Sequence, residues 1–255
     1  MMELQTHFVE KPWGRTDLPS AFGAPDGQRV GEVWYETPDA APLPLLVKWL
    51  FTSEKLSIQV HPNDAEAQAR GLPSGKEECW YIVDAEPGAV LGIGTVRPLD
   101  SDELRAASLS GEIEQLMDWK PVKAGDYFYI PAGTVHAIGA GITLVEVQQY
   151  ADITYRLYDY GRPRELHLDD GVAVSKAVPY ADPRAGRALG DQQLVDGPHF
   201  RLRMVADAAG LATVPDGARR WVVPLTGEGV GSCRLIEAGE ALSFDGAMLV
   251  ASACQ

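Results

Sequence analysis

Short runs of apolar, β-branched and aromatic residues alternate along the chain with turns rich in glycine and proline. Seven of these runs read as β-strands: Val30–Tyr35, Leu45–Phe51, Leu56–Val60, Cys79–Val83, Val90–Ile93, Tyr127–Ile130 and Ile142–Gln149. Helical signals are fewer. Asn63 reads as the cap of a short helix over Asp64–Arg70, stopped by Gly71 and Pro73. Ser101 reads as the cap of a second over Asp102–Ala107, with a further helical stretch around Glu112–Trp119. Many strands and few helices predict a mainly β protein, a sandwich or barrel. Positions 177–192 contain Pro179, Pro183, Gly186 and Gly190 with weak periodicity, and read as a linker. They divide a domain at 1–176 from a small second β module at 193–255.

Within the strands the alternation carries chemistry. Ser57, Gln59 and His61 share one face of a strand, as do Lys76, Glu78 and Trp80, and again Leu144, Glu146 and Gln148. His136 follows the turn Pro131-Ala132-Gly133. Any half-solvated strand alternates, but solvent faces carry Lys, Thr and Glu in no special order. Here Gln-x-His, Lys-x-Glu and a separate His come from three strands. Two imidazoles, a carboxylate and an amide oxygen suit one divalent transition metal, so Gln59, His61, Glu78 and His136 are the expected ligands.

The phrase G-D-x-x-x-x-P-x-G-x-x-H, Gly125 to His136, resembles the second cupin motif, which sets a histidine inside a β-barrel. The fold it implies is a cupin jelly-roll barrel. A faint internal echo, Pro121–Ala137 against Arg234–Ser252, places Leu249 opposite His136. Either the echo marks a double-cupin-like architecture, with 193–255 a degenerate module, or it is the kind of echo any β protein yields. Gly227, Gly229 and Gly231 read as a hairpin turn and not a phosphate loop, because no helix start follows them.

The motifs SIQVHPND, GKEECWYI, IPAGTVHAIGAGI and TYRLYDYGR, with KPWG at Lys11–Gly14 and GEVW at Gly31–Trp34, resemble the short bacterial type I mannose-6-phosphate isomerases over roughly Lys11 to Lys176. The resemblance implies an aldose–ketose isomerase with one zinc or similar ion per chain on Gln59, His61, Glu78 and His136. It also implies catalytic roles for Arg156, Lys76 and Glu146, and substrate contacts from Ser57, Lys76 and Arg156. Glu146 is either the base or a structural partner of Arg156. A cupin isomerase or epimerase for another phosphosugar, and a non-catalytic sugar-binding cupin, are the competing readings. His7, His167 and His199 fall outside the motifs and read as surface or structural, and Trp13, Trp34 and Trp80 as packing.

Composition then bounds the partners. Thirty-six acidic residues against 22 basic ones leave a net charge of −14. No basic surplus exists to displace phosphate counterions, so nucleic acid and anionic membranes are not expected partners. A phosphosugar is therefore expected to meet a few placed cations that act against the global field. Cys79, Cys233 and Cys254 form no CxxC pair, and MMELQTHFVEKPWG has no apolar core of signal-peptide length, so the expected location is the cytoplasm.

Overall fold

Three antiparallel sheets stack face to face, with the largest in the middle. The computed structural model describes all residues of the chain except positions 40, 189, 212, 213, 216, 242, 243, 245 and 255, and the side chains at 208 and 211. The central sheet runs, in spatial order, Ala185–Arg187, Asp126–Ile130, Glu78–Ala85, Ile142–Gln149, Leu45–Phe51, Val30–Glu36 and Gln5–Arg15. A five-stranded sheet faces it: Tyr155–Tyr158, Ile58–Val60, His136–Ile138, Val90–Thr95 and Met117–Pro121. The third, six-stranded sheet covers the opposite face: Met2–Glu3, Arg234–Ile236, Arg220–Pro224, Met248–Ala253, Phe200–Val205 and Gln192–Asp196.

The period of two decides which residue enters which core. From the central sheet, Leu50, Trp80, Ile82 and Leu144 pack toward the five-stranded sheet against Leu91, Ile93 and Ile138. Their neighbours Trp49, Phe51, Cys79 and Val145 turn the other way, against Trp221, Leu202 and Leu249 of the six-stranded sheet. Both faces of the central sheet are thus occupied, and Leu45–Phe51 is buried at all seven positions. That is why it reads as an apolar run broken only by Lys48 and not as an alternating one.

The predicted strands are present, with Leu56–Val60 beginning its pairing at Ile58. Asn63 caps Asp64–Gln68 in a reciprocal box with Glu66, at 2.9 Å in each direction. Two helix expectations are corrected. Asp100, not Ser101, caps the helix Ser101–Ser110, its carboxylate accepting from Glu103 N at 2.8 Å. A carboxylate both takes the free N–H and suits the positive end of the helix dipole, so it outcompetes the adjacent hydroxyl. The stretch Glu112–Trp119 holds only Ile113–Leu116 as helix, because Met117 turns extended and Met117–Pro121 pairs with Val90–Thr95. Positions 177–192 run along the first two sheets: Ala185–Arg187 pairs with Asp126–Phe128, and the Tyr180 hydroxyl donates to Tyr129 O at 2.7 Å.

The glycines at 227, 229 and 231 form the turn joining the paired strands Arg220–Pro224 and Arg234–Ile236, as read. Leu249 lies in the core against the central sheet, and positions 242, 243 and 245 of the expected echo fall outside the described residues. No helix among the described residues is long and apolar enough to cross a membrane.

Candidate metal centre and substrate cavity

Strand register assembles the site. His136 sits directly opposite Gln59, and Glu146 is flanked by Lys48 on one side and Trp80 on the other. The turn that delivers His136 depends on Gly133, whose φ is +85° and where an added Cβ would lie 2.9 Å from Val174 O. The side chains of His61, Glu78 and His136 are 1–2% exposed and their ligand atoms lie within 4.8 Å of one another.

The spacings suit ligands of a common ion better than hydrogen bonds. His61 Nε2 is 3.6 Å from Glu78 Oε2, and His136 Nε2 is 3.5 Å from Glu78 Oε1. Gln59 Nε2 is 3.4 Å from His136 Nε2. Two donors each about 2.1 Å from a tetrahedral ion would stand about 3.4 Å apart. His136 Nδ1 lies 2.8 Å from Thr134 O, which fixes the proton there and leaves the Nε2 lone pair facing the cluster. The His61 nitrogens and the Glu78 oxygens make no well-formed hydrogen bond, although the Lys76 ammonium is 2.9 Å from Glu78. Buried polar atoms left in this state fit a cation among them. Ser57 donates to Gln59 Oε1 at 3.0 Å; turning the amide over would present its oxygen to the cluster and let Ser57 accept instead.

Burial pushes His136 down to about 4, against the pull of the Thr134 carbonyl, and drives His61 well below the usual histidine range with help from Lys76. Both imidazoles are held neutral, the metal-binding form. Burial, then Glu146, lifts Glu78 to about 8, with Lys76 opposing.

Beyond Glu78 runs a row of alternating charges. Lys76 Nζ and Lys48 Nζ lie 3.6 and 3.5 Å from Glu146 Oε1, Lys48 lies 3.8 Å from Glu32, and Lys11 lies 3.2 Å from Glu32. Trp80 donates to Glu146 at 2.9 Å and Trp34 to Glu32 at 2.6 Å, so neither indole is packing alone. Burial works to raise Glu146, but Lys76 and Lys48 outweigh it and hold the carboxyl at about 2. Burial likewise opposes the charge on Lys76, yet Glu146 and Glu78 raise it. Lys48, Glu32 and Lys11 were not singled out in the sequence. The available signal was Lys48 itself, one charge inside an otherwise apolar strand, where an unpaired ammonium is untenable.

A cavity of about 290 Å³ opens on this row, lined by Ser57, Gln59, Lys76, Glu146, Arg156 and Arg164 among others. All the expected substrate and catalytic residues meet there. Arg156 is held by its backbone, which exchanges hydrogen bonds with His167, and Nη1 donates to Glu165 O at 2.8 Å. Its Nε has no partner. The expected partnership of Glu146 with Arg156 is not formed; Glu146 is committed to the lysines. Arg164, which the sequence reading missed, is steered by Asp159 through contacts of 2.5 and 2.7 Å. A larger cavity of about 490 Å³ beside Pro42, Leu72 and Tyr150 is mostly apolar and holds none of this chemistry.

No family model matches the chain. It is 44% identical to the mannose-6-phosphate isomerase of Streptococcus mutans over 51% of this chain and 43% of that protein. Against the Bacillus subtilis mannose-6-phosphate isomerase ManA the identity is 46%, over 66% of this chain and 65% of that one. Against the B. subtilis protein named probable mannose-6-phosphate isomerase GmuF it is 34%, over 70% and 69%. The chain belongs to the mannose-6-phosphate isomerase family. It spans less than half of the S. mutans relative and about two thirds of the B. subtilis ones. A solved mannose 6-phosphate isomerase from B. subtilis superposes with a TM-score of 0.77 at 25% identity, covering 98% of both chains. A zinc-bound mannose 6-phosphate isomerase superposes at 0.73 with 14% identity, also over 98% of both, a likeness of fold. The cupin architecture expected from Gly125–His136 is the architecture these isomerases share with the chain.

Proposed function

We propose that the chain is a metal-dependent aldose–ketose isomerase interconverting mannose 6-phosphate and fructose 6-phosphate. The observation that carries this reading is the buried His61–Glu78–His136 cluster set beside a cavity lined by cations in an otherwise acidic protein. His61, Glu78 and His136, with Gln59 as a fourth donor, would hold one zinc per chain; zinc is what the structurally similar holoenzyme carries. Such an ion supplies a fixed positive charge that polarises carbonyl and hydroxyl oxygens.

The remaining work falls to side chains. Isomerisation moves a proton from C2 of the aldose to C1 through a cis-enediol or enediolate, so negative charge gathers on the oxygens at both carbons. Lys76 and Arg156 face the cavity as the cations nearest that charge, and Arg156 and Arg164 offer forked donors that match a phosphate. Ser57 sets the Gln59 amide and borders the sugar. Glu146 faces the cavity in its basic form, as Glu32 does further along the row, but a carboxyl at about 2 has little drive to take a proton from carbon. Its weakness comes from Lys76 and Lys48. As those ammoniums turn toward the developing oxyanion, Glu146 loses the groups that keep it ionised and gains basicity.

Every residue in these roles falls within 1–176, which we take as the catalytic domain, with 193–255 its smaller β companion. Cys79, Cys233 and Cys254 are all free thiols, which supports a cytoplasmic setting. The test is a coupled assay of fructose 6-phosphate formation from mannose 6-phosphate, run on chelator-stripped protein with and without added zinc. Zinc-dependent turnover is expected. Intact metal binding without turnover in either state would defeat the isomerase reading.

A further inference from the structure

A second cavity of about 290 Å³, as large as the one beside the metal cluster, lies on the outer face of the six-stranded sheet. Three of the five basic residues beyond position 192 line it: Arg201, Arg203 and Arg220. They share that face for a simple reason. Arg201 and Arg203 alternate with Leu202 and Met204, and Arg220 precedes Trp221; the apolar members of each pair are buried against the central sheet. Register then gathers the guanidiniums. Arg201 is opposite Ser252 and Arg203 opposite Val250, while Val222, two residues after Arg220, meets Val250 from the other side.

Arg220 carries the argument. It is 4% exposed, yet among the described residues it is in no ion pair. Its Nη2 donates to the Glu240 backbone carbonyl at 2.6 Å, and its Nε has no hydrogen-bond partner. The adjacent Arg219 behaves in the opposite way, turning outward to Glu237 at 3.0 Å. A buried guanidinium is costly unless an anion balances it. We infer that this cavity on the C-terminal module is a binding site for a small phosphate monoester, separate from the catalytic cavity. A phosphate monoester carries close to two negative charges at neutral pH and accepts forked donors, which Arg220 offers from the buried wall, with Arg201, paired to Asp196 at 2.9 Å, beside it. Val214, Pro215 and Val250 line the same cavity and give its carbon skeleton an apolar wall. This site stands or falls independently of the isomerase reading.

The full-length protein tests it by calorimetric titration with fructose 6-phosphate, glycerol 3-phosphate, inorganic phosphate and uncharged glycerol. The hexose and triose arms distinguish a site for the enzyme's own sugar phosphates from one for other phosphate esters. Two phosphate-ester sites per chain are expected for the unmodified protein. Arg220→Gln and Arg201→Gln should each weaken one of them at least tenfold while turnover stays within twofold, and Arg219→Gln should weaken neither. Circular dichroism checks the fold of each variant; if Arg220→Gln does not fold, the exposed Arg201 decides. Phosphate-ester binding that neither folded Arg220→Gln nor folded Arg201→Gln weakens, or equal binding of glycerol, overturns the proposal.

Discussion

Among the described residues Lys48 is the one side chain paired with both Glu146 and Glu32, and replacing it by methionine takes a cation from two buried carboxylates at once. Two estimates bracket the effect. At an effective dielectric of about 20, contacts at 3.5 and 3.8 Å are each worth about 4–5 kcal/mol before desolvation is counted. Desolvating the ammonium offsets several kcal/mol of that, which leaves the roughly 3–5 kcal/mol typical of a broken buried pair. Linkage gives an independent figure. Glu146 lies at about 2, against 4.5 when unperturbed, so its ionisation contributes about 3 kcal/mol of stability above pH 4.5, lost as the pH falls toward 2. Lys48 supplies a share of that, second to Lys76. Lys48→Met should therefore lose about 3–5 kcal/mol in chemical denaturation at pH 8. The deficit should shrink at pH 5.5, because carboxylates left with one cation fewer take up protons more readily. Adding Glu146→Gln should restore part of the loss, a coupling of at least about 1.5 kcal/mol. A loss under about 1 kcal/mol that is the same at both pH values would show that the lysine is neutralised from elsewhere.

Other expectations follow from the same geometry. His136→Ala should lose metal and turnover together, whereas Arg156→Ala should keep its metal and lose turnover by about 10²-fold or more; metal loss in the arginine variant, measured by elemental analysis, would remove its catalytic role. Because Glu78 is raised to about 8 in the metal-free protein, zinc binding at neutral pH should release its proton. Apparent affinity should then rise about tenfold per pH unit up to about 8 and flatten above it, and a flat profile from pH 6 to 8 contradicts the protonated Glu78. Gly133→Ala should cost about 1–3 kcal/mol through backbone strain, read as a lowered Tm; an unchanged Tm would mean that the turn needs no left-handed residue.

Most of the site was legible because strand alternation and metal chemistry are both local. Gln59 and His61, and Lys76 and Glu78, announce themselves two residues apart, and the packing of the five-stranded sheet on the central one brings the two pairs together. What sequence could not supply was cross-strand company. Lys48 meets Glu146 because two strands 98 residues apart pair in that register, and nothing within either strand encodes it. The same limit explains Glu146. Its chemistry as an isolated carboxylate suggests a base, while its chemistry between two ammoniums is that of an anchor. The helical stretch expected over Glu112–Trp119 was cut short to Ile113–Leu116 by the same non-local cause, since the waiting edge of Val90–Thr95 took Met117–Pro121. Arg164 was overlooked because its aim is set by Asp159, not by any periodic pattern.

The sheet order has one more consequence, for the timing of folding. Met2–Glu3 pairs with Arg234–Leu235, strands separated by more than 230 residues. A ribosome adding about 5–20 residues per second needs about 10–50 seconds to deliver the second partner after the first. Once the strands up to Arg187 have emerged the central sheet can form, but its Trp49 and Phe51 face lacks full cover until Leu202, Trp221 and Leu249 follow, over about 60 residues or about 3–12 seconds. The nascent chain thus passes through a stage in which a sticky aromatic surface is exposed while the strands that carry the candidate metal cluster are already made. The last quarter of the protein acts as a late-arriving shield, and truncations there should be judged first by aggregation of the newborn chain and only then by turnover.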